Sequence, residues 1–297
     1  MRILVTGSNG LLGQKVTTLL QQDATVQLIA TARSASFIPI EKGEFHLLDI
    51  TNKDDVDKIV AATKPDVIIN TAAMTNVDQC ESEKEACWKN NVTSVKNLVA
   101  ACAKFNVRLV HVSTDFIFDG SHGPLAEDEP AGPVNYYGES KLAAEQIILE
   151  SKVSNCILRT VLVYGITNDM SRSNIVLWVK KSLEEGKTIN VVNDQFRTPT
   201  LAEDLAMGCY LAAIKNASGI YHISGKDFLS PYEIALATAR YFKLDKSRIK
   251  PTDSNTFKQP AARPLITGFI IDKARKDLGY EPRSFAEGLS ILESQLR

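Results

Sequence analysis

The sequence lacks most of what a nucleic-acid or membrane partner would require. Its 34 Lys and Arg are offset by 35 Asp and Glu, a formal net charge of -1, so no basic surface favours nucleic acid or acidic lipid. No apolar stretch approaches the roughly 20 residues that cross a bilayer. The opening run Arg2-Ile3-Leu4-Val5-Thr6 is too short for the core of a signal peptide. Cys80, Cys87, Cys102, Cys156 and Cys209 are odd in number and form no C-x-x-C pair; this argues against a disulfide scaffold and for reduced, buried thiols. His46, His111, His122 and His222 have no ligand spacing, and His111 sits in an apolar run as a core residue would, so no metal is expected. No G-x-S-x-G elbow supports serine hydrolysis. These absences predict a cytoplasmic globular protein.

What is present has a clear rhythm. Within the 297 residues, strand-like runs at 2–6, 27–31, 44–48, 66–70, 108–113 and 155–159 alternate with helix-like stretches at 11–22, 52–62, 83–105 and 137–151. Leu12, Val16, Leu19 and Leu20 form one apolar stripe at helical spacing. The strands are nearly continuous apolar runs, as in a parallel sheet covered on both faces. The expected fold is α/β, a doubly wound parallel (Rossmann) sheet with a smaller C-terminal substrate-binding lobe. The expected division is a dinucleotide-binding domain at 1–160 and the lobe at 161–297, with some segments returning to the first. Turn-rich stretches fall at 168–174 and 253–264. Trp178, on a helix at 174–185 with Ile175, Val179 and Leu183, reads as core, and Glu127-Asp128-Glu129 as a solvated acidic run.

The first strand leads into Thr6-Gly7-Ser8-Asn9-Gly10-Leu11-Leu12-Gly13. Glycines at this turn let the backbone approach a pyrophosphate, which the free amides and positive dipole end of the next helix would hold. The spacing is G-x-x-G-x-x-G, and the strand–turn–helix context marks a dinucleotide site. Some 20 residues on, where an Asp or Glu would bind the ribose of NAD, stand Arg33 and Ser34. An arginine here pairs with the 2′-phosphate of NADP, so NADP(H) is favoured over NAD(H); a solvated loop arginine is the alternative. Asp49 and Ile50, ending the third strand, are placed for the adenine, although Asp49 is also a common turn former.

Tyr137-Gly138-Glu139-Ser140-Lys141 is the only Tyr followed four residues later by Lys, and on a helix both occupy one face. A nearby ammonium is expected to lower the phenol pKa and fit Tyr137 for proton transfer to a carbinol oxygen. Ser113-Thr114-Asp115 follows the fifth strand, at the sheet edge where ligands bind in open α/β folds. Gly7, Asn70–Ala73, Thr114 and Tyr137 thus converge on one crevice.

These motifs resemble the extended short-chain dehydrogenases/reductases, and more narrowly the dTDP-4-dehydrorhamnose reductase family. The resemblance spans essentially the whole chain. It includes Thr6–Gly13, Asn70-Thr71-Ala72-Ala73, the run from Ser113 to Gly120, Tyr137–Lys141, Asn91 through Asn97-Leu98, Leu158-Arg159-Thr160, Val163-Tyr164-Gly165, Asp194-Gln195, Pro199-Thr200 and Ala262-Arg263-Pro264. The resemblance implies that NADPH delivers hydride to C4 of a nucleotide-linked 4-keto-6-deoxy sugar. Tyr137 would be the proton donor, Lys141 would hold the nicotinamide ribose, Thr114 would orient the carbonyl, and Asn91 would support the helix and a proton-relay water. Gly7, Asn9, Gly10, Leu11 and Leu12 would wrap the pyrophosphate, with Gly13 beside them and Ala72 and Ala73 along the cofactor. Thr75, Thr114, Asp115 and Arg197 would meet substrate. Related proteins dimerise through helices corresponding to 83–105 and 137–151, so a homodimer is expected.

Two positions depart from the family pattern. Leu162 stands where rhamnose-pathway reductases carry a Trp, and Phe196-Arg197-Thr198 where they carry a glycine. The first removes a ring that packs on the sugar, and the second adds a cation that would bind the diphosphate of a nucleotide sugar or else change the substrate altogether. The same scaffold also carries nucleotide-sugar epimerases and dehydratases, which retain NAD. It carries, too, a cofactor-binding regulatory subunit of methionine adenosyltransferase.

Overall fold

The computed structural model describes residues 1–168, 174–256 and 259–296. The first half runs β1 (Arg2–Thr6), α1 (Leu11–Gln22), β2 (Gln27–Ala32), β3 (Glu44–Leu47), α2 (Lys53–Thr63), β4 (Val67–Asn70), α3 (Val77–Ser82) and α4 (Lys84–Trp88). A π-helical turn, Lys89–Thr93, then leads into α5 (Ser94–Phe105), β5 (Arg108–Thr114), α6 (Tyr136–Glu150) and β6 (Asn155–Thr160). The rest comprises β7 (Val163–Tyr164), α7 (Ile175–Glu184), β8 (Ile189–Val192), β9 (Thr200–Leu201), α8 (Ala202–Ile214), β10 (Gly219–His222), α9 (Pro231–Tyr241), β11 (Ile249–Thr252), α10 (Asp272–Leu278) and α11 (Phe285–Leu296).

Seven parallel strands form the main sheet in the order β10-β6-β5-β4-β1-β2-β3. The chain winds outward in both directions from β1, so a switch point lies between β1 and β4, where the carboxyl ends open a crevice. Two apolar layers fix the sheet. Ile3, Val5, Leu28, Ile69 and Val110 pack on one face with Val16 and Leu20 of α1 and Leu205 and Cys209 of α8. Leu4, Ile29, Ile68 and Leu109 pack on the other with Val56, Val60, Leu98, Ala144 and Ile148. All five cysteines are free and buried.

Local chemistry sets the helix ends. The Asn52 side chain caps α2 by accepting from the amides of Asp54 and Asp55, and Ser230 and Glu233 close a capping box on α9 with Pro231 at its first turn. The carboxy-terminal part does not separate cleanly. β10 joins the main sheet and α8 packs on its face, whereas β8, β11, α7, α9 and α11 form the smaller lobe, packed around Val179, Leu183, Ile234, Ala235 and Leu289. Trp178 corrects one expectation: it is 40% exposed, because Val176, Val179 and Leu183 already supply the buried face of α7. Glu127 corrects another: it accepts from the His222 amide, and its carbonyl accepts from Arg159, so it braces β10 rather than facing water. The turn-rich stretches at 168–174 and 253–264 lie in part outside the described residues. Among the described residues no helix is long and apolar enough to cross a membrane.

Candidate active site

The β1–α1 turn is built for close approach. Gly7 has φ +70°, and a Cβ there would lie 2.9 Å from the Ala72 Cα. One on Gly13 would lie 2.1 Å from the Gly7 carbonyl oxygen, so any larger residue would push helix from strand. Thr71 ties the turn to β4 by donating to the Thr6 carbonyl at 2.7 Å. Gly10 is the N-cap of α1 and offers no side-chain cap, and the Gln14 amide bonds back to the Gly10 carbonyl. The amides of Leu11, Leu12 and Gly13 are therefore left for an anion, a cradle that fits a dinucleotide pyrophosphate. Asn9 differs from expectation: its amide bonds Ser34 and the Ala35 carbonyl and accepts from the Phe37 amide, so it shapes the loop after β2. A side chain bound to other protein groups at both ends of its amide is a brace.

Arg33 is exposed at the carboxyl end of β2. It lines a cleft of about 360 Å³ with Leu47, Leu48, Asp49, Asp55, Lys58 and Ile59. Lys58, which belongs to no recognisable motif, adds a second cation from α2. Asp49 accepts from the Thr51 amide at 2.9 Å and so also works as a turn former. Ile50 is buried, with its carbonyl bonded to Asn97. A second cleft, about 640 Å³, runs from Arg33 past Ala73, Met74 and Thr75 to Gln79, Glu83 and Asn90.

Tyr137 sits in the first turn of α6, whose N-cap, Asn135, accepts from the Gly138 amide at 2.9 Å. A Cβ on Gly138 would fall 2.1 Å from the Phe116 carbonyl oxygen. Only glycine lets α6 press this closely on the turn after β5, which brings Tyr137 to Thr114. Thr114, beside Tyr137, draws its phenol down, but burial outweighs this and pushes the pKa well above the usual 10. The expected lowering by Lys141 is thus overturned: Lys141 turns beneath Tyr137 toward β5. Its Nζ bonds the Val112 carbonyl at 2.8 Å and lies 3.2 Å from His111 Nε2. Burial pulls Lys141 down to about 8. Asn91, delivered by the π-helical turn, receives the Met74 amide at 2.8 Å and donates to the Met74 carbonyl and to Ser140 Oγ. It pins the 72–75 loop to α6.

The substrate-side residues divide. Thr75 lines the larger cleft and Thr114 the edge of β5. Asp115 and Arg197 do not face an opening. Asp115 is 2% exposed; it accepts from Thr267 at 2.5 Å and from the Thr114 hydroxyl at 3.1 Å. Arg197 is 4% exposed. Its Nε lies 3.4 Å from Asp115, and its other nitrogens donate to the carbonyls of Phe196, Leu265 and Pro264 at 2.5–2.8 Å. The expected diphosphate contact by Arg197 is therefore corrected: its donors are taken inside the protein, and it fastens the 264–267 segment to β5. Sequence reasoning missed this pair and the Arg263–Asp78 ion pair, at 2.8 Å, that anchors the same segment to α3. Both partners of each pair are far apart in sequence, so spacing carries no signal.

A dinucleotide cradle at the switch point, with Tyr, Lys and Thr gathered beside it, defines a Rossmann-type NAD(P)-dependent oxidoreductase. A family model described as RmlD substrate binding domain matches residues 1–296. A dTDP-4-dehydrorhamnose reductase of Streptomyces griseus is 34% identical over 95% of this chain and 89% of its own. Methionine adenosyltransferase 2 subunit beta of Pongo abelii is 31% identical over 85% of this chain and 76% of its own. Among solved structures, a Clostridium acetobutylicum dTDP-4-dehydrorhamnose reductase aligns with a TM-score of 0.89 at 30% identity, covering 100% of this chain and 99% of that one. A Bacillus anthracis dTDP-4-dehydrorhamnose reductase in complex with NADP gives 0.85 at 28% identity, covering 99% of each chain. The chain belongs to the dTDP-4-dehydrorhamnose reductase family of extended short-chain dehydrogenases.

Proposed function

We propose that the protein reduces a nucleotide-linked 4-keto-6-deoxy sugar with NADPH. The observation that carries this reading is the placement of the Tyr137 phenol against Thr114 at the crevice edge of the sheet. The bound cofactor would supply hydride to the sugar C4. Burial keeps Tyr137 protonated, which suits a donor to the oxygen that gains charge as the carbonyl is reduced. Thr114 positions that phenol, and Lys141 and Asn91 hold α6 and the 72–75 loop in register. Leu11, Leu12 and Gly13 would bind the pyrophosphate through their amides, with Ala72 and Ala73 forming the floor. Arg33, with Lys58 in the same cleft, favours a 2′-phosphate and hence NADP(H). Assembly as a homodimer through α5 and α6 belongs to the same reading, and sedimentation at micromolar concentration checks it.

The test is loss of reduced-cofactor absorbance with NADPH, and separately NADH, on freshly made dTDP-4-keto-6-deoxy sugar. Rapid NADPH oxidation that disappears in Tyr137→Phe supports the proposal. Cofactor that stays bound through purification would favour an epimerase or dehydratase. The likeness to methionine adenosyltransferase 2 subunit beta supports a second reading, an NADP-binding regulatory subunit. NADPH binding without turnover, together with co-purification of a synthetase, would favour that one.

A further inference from the structure

Glu145, deep in α6, has one buried cation on β6 and another one turn before it in its own helix. Arg159, Glu145 and Lys141 are all buried. Arg159 closes on Glu145 as a fork, its Nε 3.2 Å from both carboxylate oxygens and its Nη2 donating to Oε2 at 2.8 Å. The guanidinium is fixed in turn by the Glu127 carbonyl at 3.0 Å and by the Phe118 ring, 5.3 Å away. The carboxylate is therefore held in one place, four residues past Lys141 on the same face of α6.

Burial works against a charge on Lys141, because an ammonium taken out of water without a counter-charge is costly. Its nearest partners supply none. Lys141 Nζ donates to the Val112 carbonyl at 2.8 Å and lies 3.2 Å from Nε2 of His111 in β5, a ring that burial keeps uncharged. Tyr137, one turn back on α6, is kept a neutral phenol by its own burial. The groups that favour a charge on Lys141 are Glu145 first and the Cys87 thiol of α4 second. With Glu145 in place, burial draws Lys141 down only to about 8, so it remains an ammonium at neutral pH.

We propose that Glu145 is a positioning residue for the reaction, supplying the counter-charge that keeps Lys141 an ammonium, with Arg159 as the clamp that fixes it. An ammonium has three N–H donors and no acceptor. The Val112 carbonyl takes one, which leaves Lys141 able to donate to a hydroxyl of the cofactor ribose. Loss of the proton would put a lone pair where a donor is needed. Arg159 also competes with Lys141 for the same carboxylate. The two partners of this one ion pair thus act on Lys141 in opposite directions.

The inference rests on the reading of Tyr137 and Lys141 as the reactive pair, but its test uses the cofactor-free full chain. The Lys141 side chain is titrated by ¹³C NMR on lysine-labelled protein, its signal assigned by its absence in Lys141→Met. Glu145→Gln should lower the Lys141 midpoint by roughly tenfold or more in proton affinity, and Glu145→Asp, which keeps the charge, should restore most of it. Arg159→Gln breaks the same ion pair yet should leave the midpoint at the wild-type value or above it, because Glu145 then answers to Lys141 alone. A bridge that only holds the fold would make Glu145→Gln and Arg159→Gln shift Lys141 alike, and that result overturns the proposal. So does an unchanged midpoint in Glu145→Gln, or a larger fall in Cys87→Ser. If Glu145→Gln fails to fold, the double variant with Arg159→Gln leaves neither charge of the pair unmatched, and it must still lower the midpoint. Failure to reduce any sugar would sink the proposed function and leave these titrations unchanged.

Discussion

Replacing Arg197 separates a structural strut from a substrate contact. Arg197→Leu removes the cation beside a carboxylate that is 2% exposed and takes the side-chain donor from the Pro264 carbonyl, while the carbonyls of Phe196 and Leu265 keep the amides of Thr267 and Phe196. Removing one partner of a buried pair costs about 3–5 kcal/mol, against a total stability of roughly 5–15 kcal/mol for a domain. Asp115→Asn should cost less. Burial holds the Asp115 carboxyl above its usual 3.8 despite Arg197, Thr267 and Thr114, so its ionised form is a net burden. The sign is definite: a raised folded pKa contributes stability fully below the unfolded value and loses it as pH rises. The neutral amide avoids that burden while Arg197 keeps its carbonyls. Urea denaturation at pH 7 should rank Arg197→Leu well below both Asp115→Asn and wild type. An Arg197→Leu protein within about 0.5 kcal/mol of wild type, with a greatly raised KM for nucleotide sugar, would refute the strut and restore the diphosphate contact.

Arg33→Ala should weaken NADPH binding by roughly 10–100-fold, the range of a lost charged hydrogen bond, while NADH changes little; equal loss of both would remove the 2′-phosphate assignment. Gly138→Ala forces a Cβ onto the Phe116 carbonyl; it should cost about 1–3 kcal/mol and lower kcat by up to roughly 100-fold with KM nearly unchanged. A Gly138→Ala enzyme with wild-type kcat would show that the Tyr137–Thr114 approach tolerates displacement. His222 is held neutral, down to about 3, and His111 well below 6.5, both by burial. Depressed folded values give stability that is full above 6.5 and lost as pH falls toward about 3, at about 1.4 kcal/mol per pH unit for each ring. Urea midpoints measured from pH 8 to 4.5 check this, and a flat profile would contradict neutral burial.

The sheet was legible because its information is local. Apolar runs such as Val67–Asn70, bounded by turn residues, can only be buried strands, and the glycine spacing after β1 has one structural use. Gly138 was legible only as part of a motif; its reason, a helix pressed against a turn 22 residues earlier in the chain, is tertiary. What spacing could not carry was the direction in which polar side chains point. Arg197 and Asp115 were expected to meet substrate on the strength of the family resemblance. Their burial depends on the 264–267 segment, which lies far away in sequence. Asn9 read as a phosphate ligand from its place between glycines, yet the loop after β2 claims its amide. His111 was rightly placed in the core, but pairing across β4, β5 and α6 makes that core position part of the site.

The electrostatics of the pair Tyr137 and Lys141 follow from the same burial. Away from water, a charged group needs a paired charge, and here Glu145 is bound to Arg159 while Asp115 faces Arg197. Glu145 still favours an ammonium at Lys141, whereas Tyr137 has Asp115 close enough to disfavour a phenolate. A protonated phenol beside an ammonium is therefore the arrangement at neutral pH, since burial draws Lys141 down only to about 8. Such a phenol is a weak acid until an oxygen beside it begins to gain negative charge, and at that moment it becomes the nearest proton. Reduction of a carbonyl creates that charge, whereas oxidation of an alcohol would first require the phenolate that burial opposes. In the proposed reaction, the phenol that burial keeps protonated suits the part of proton donor.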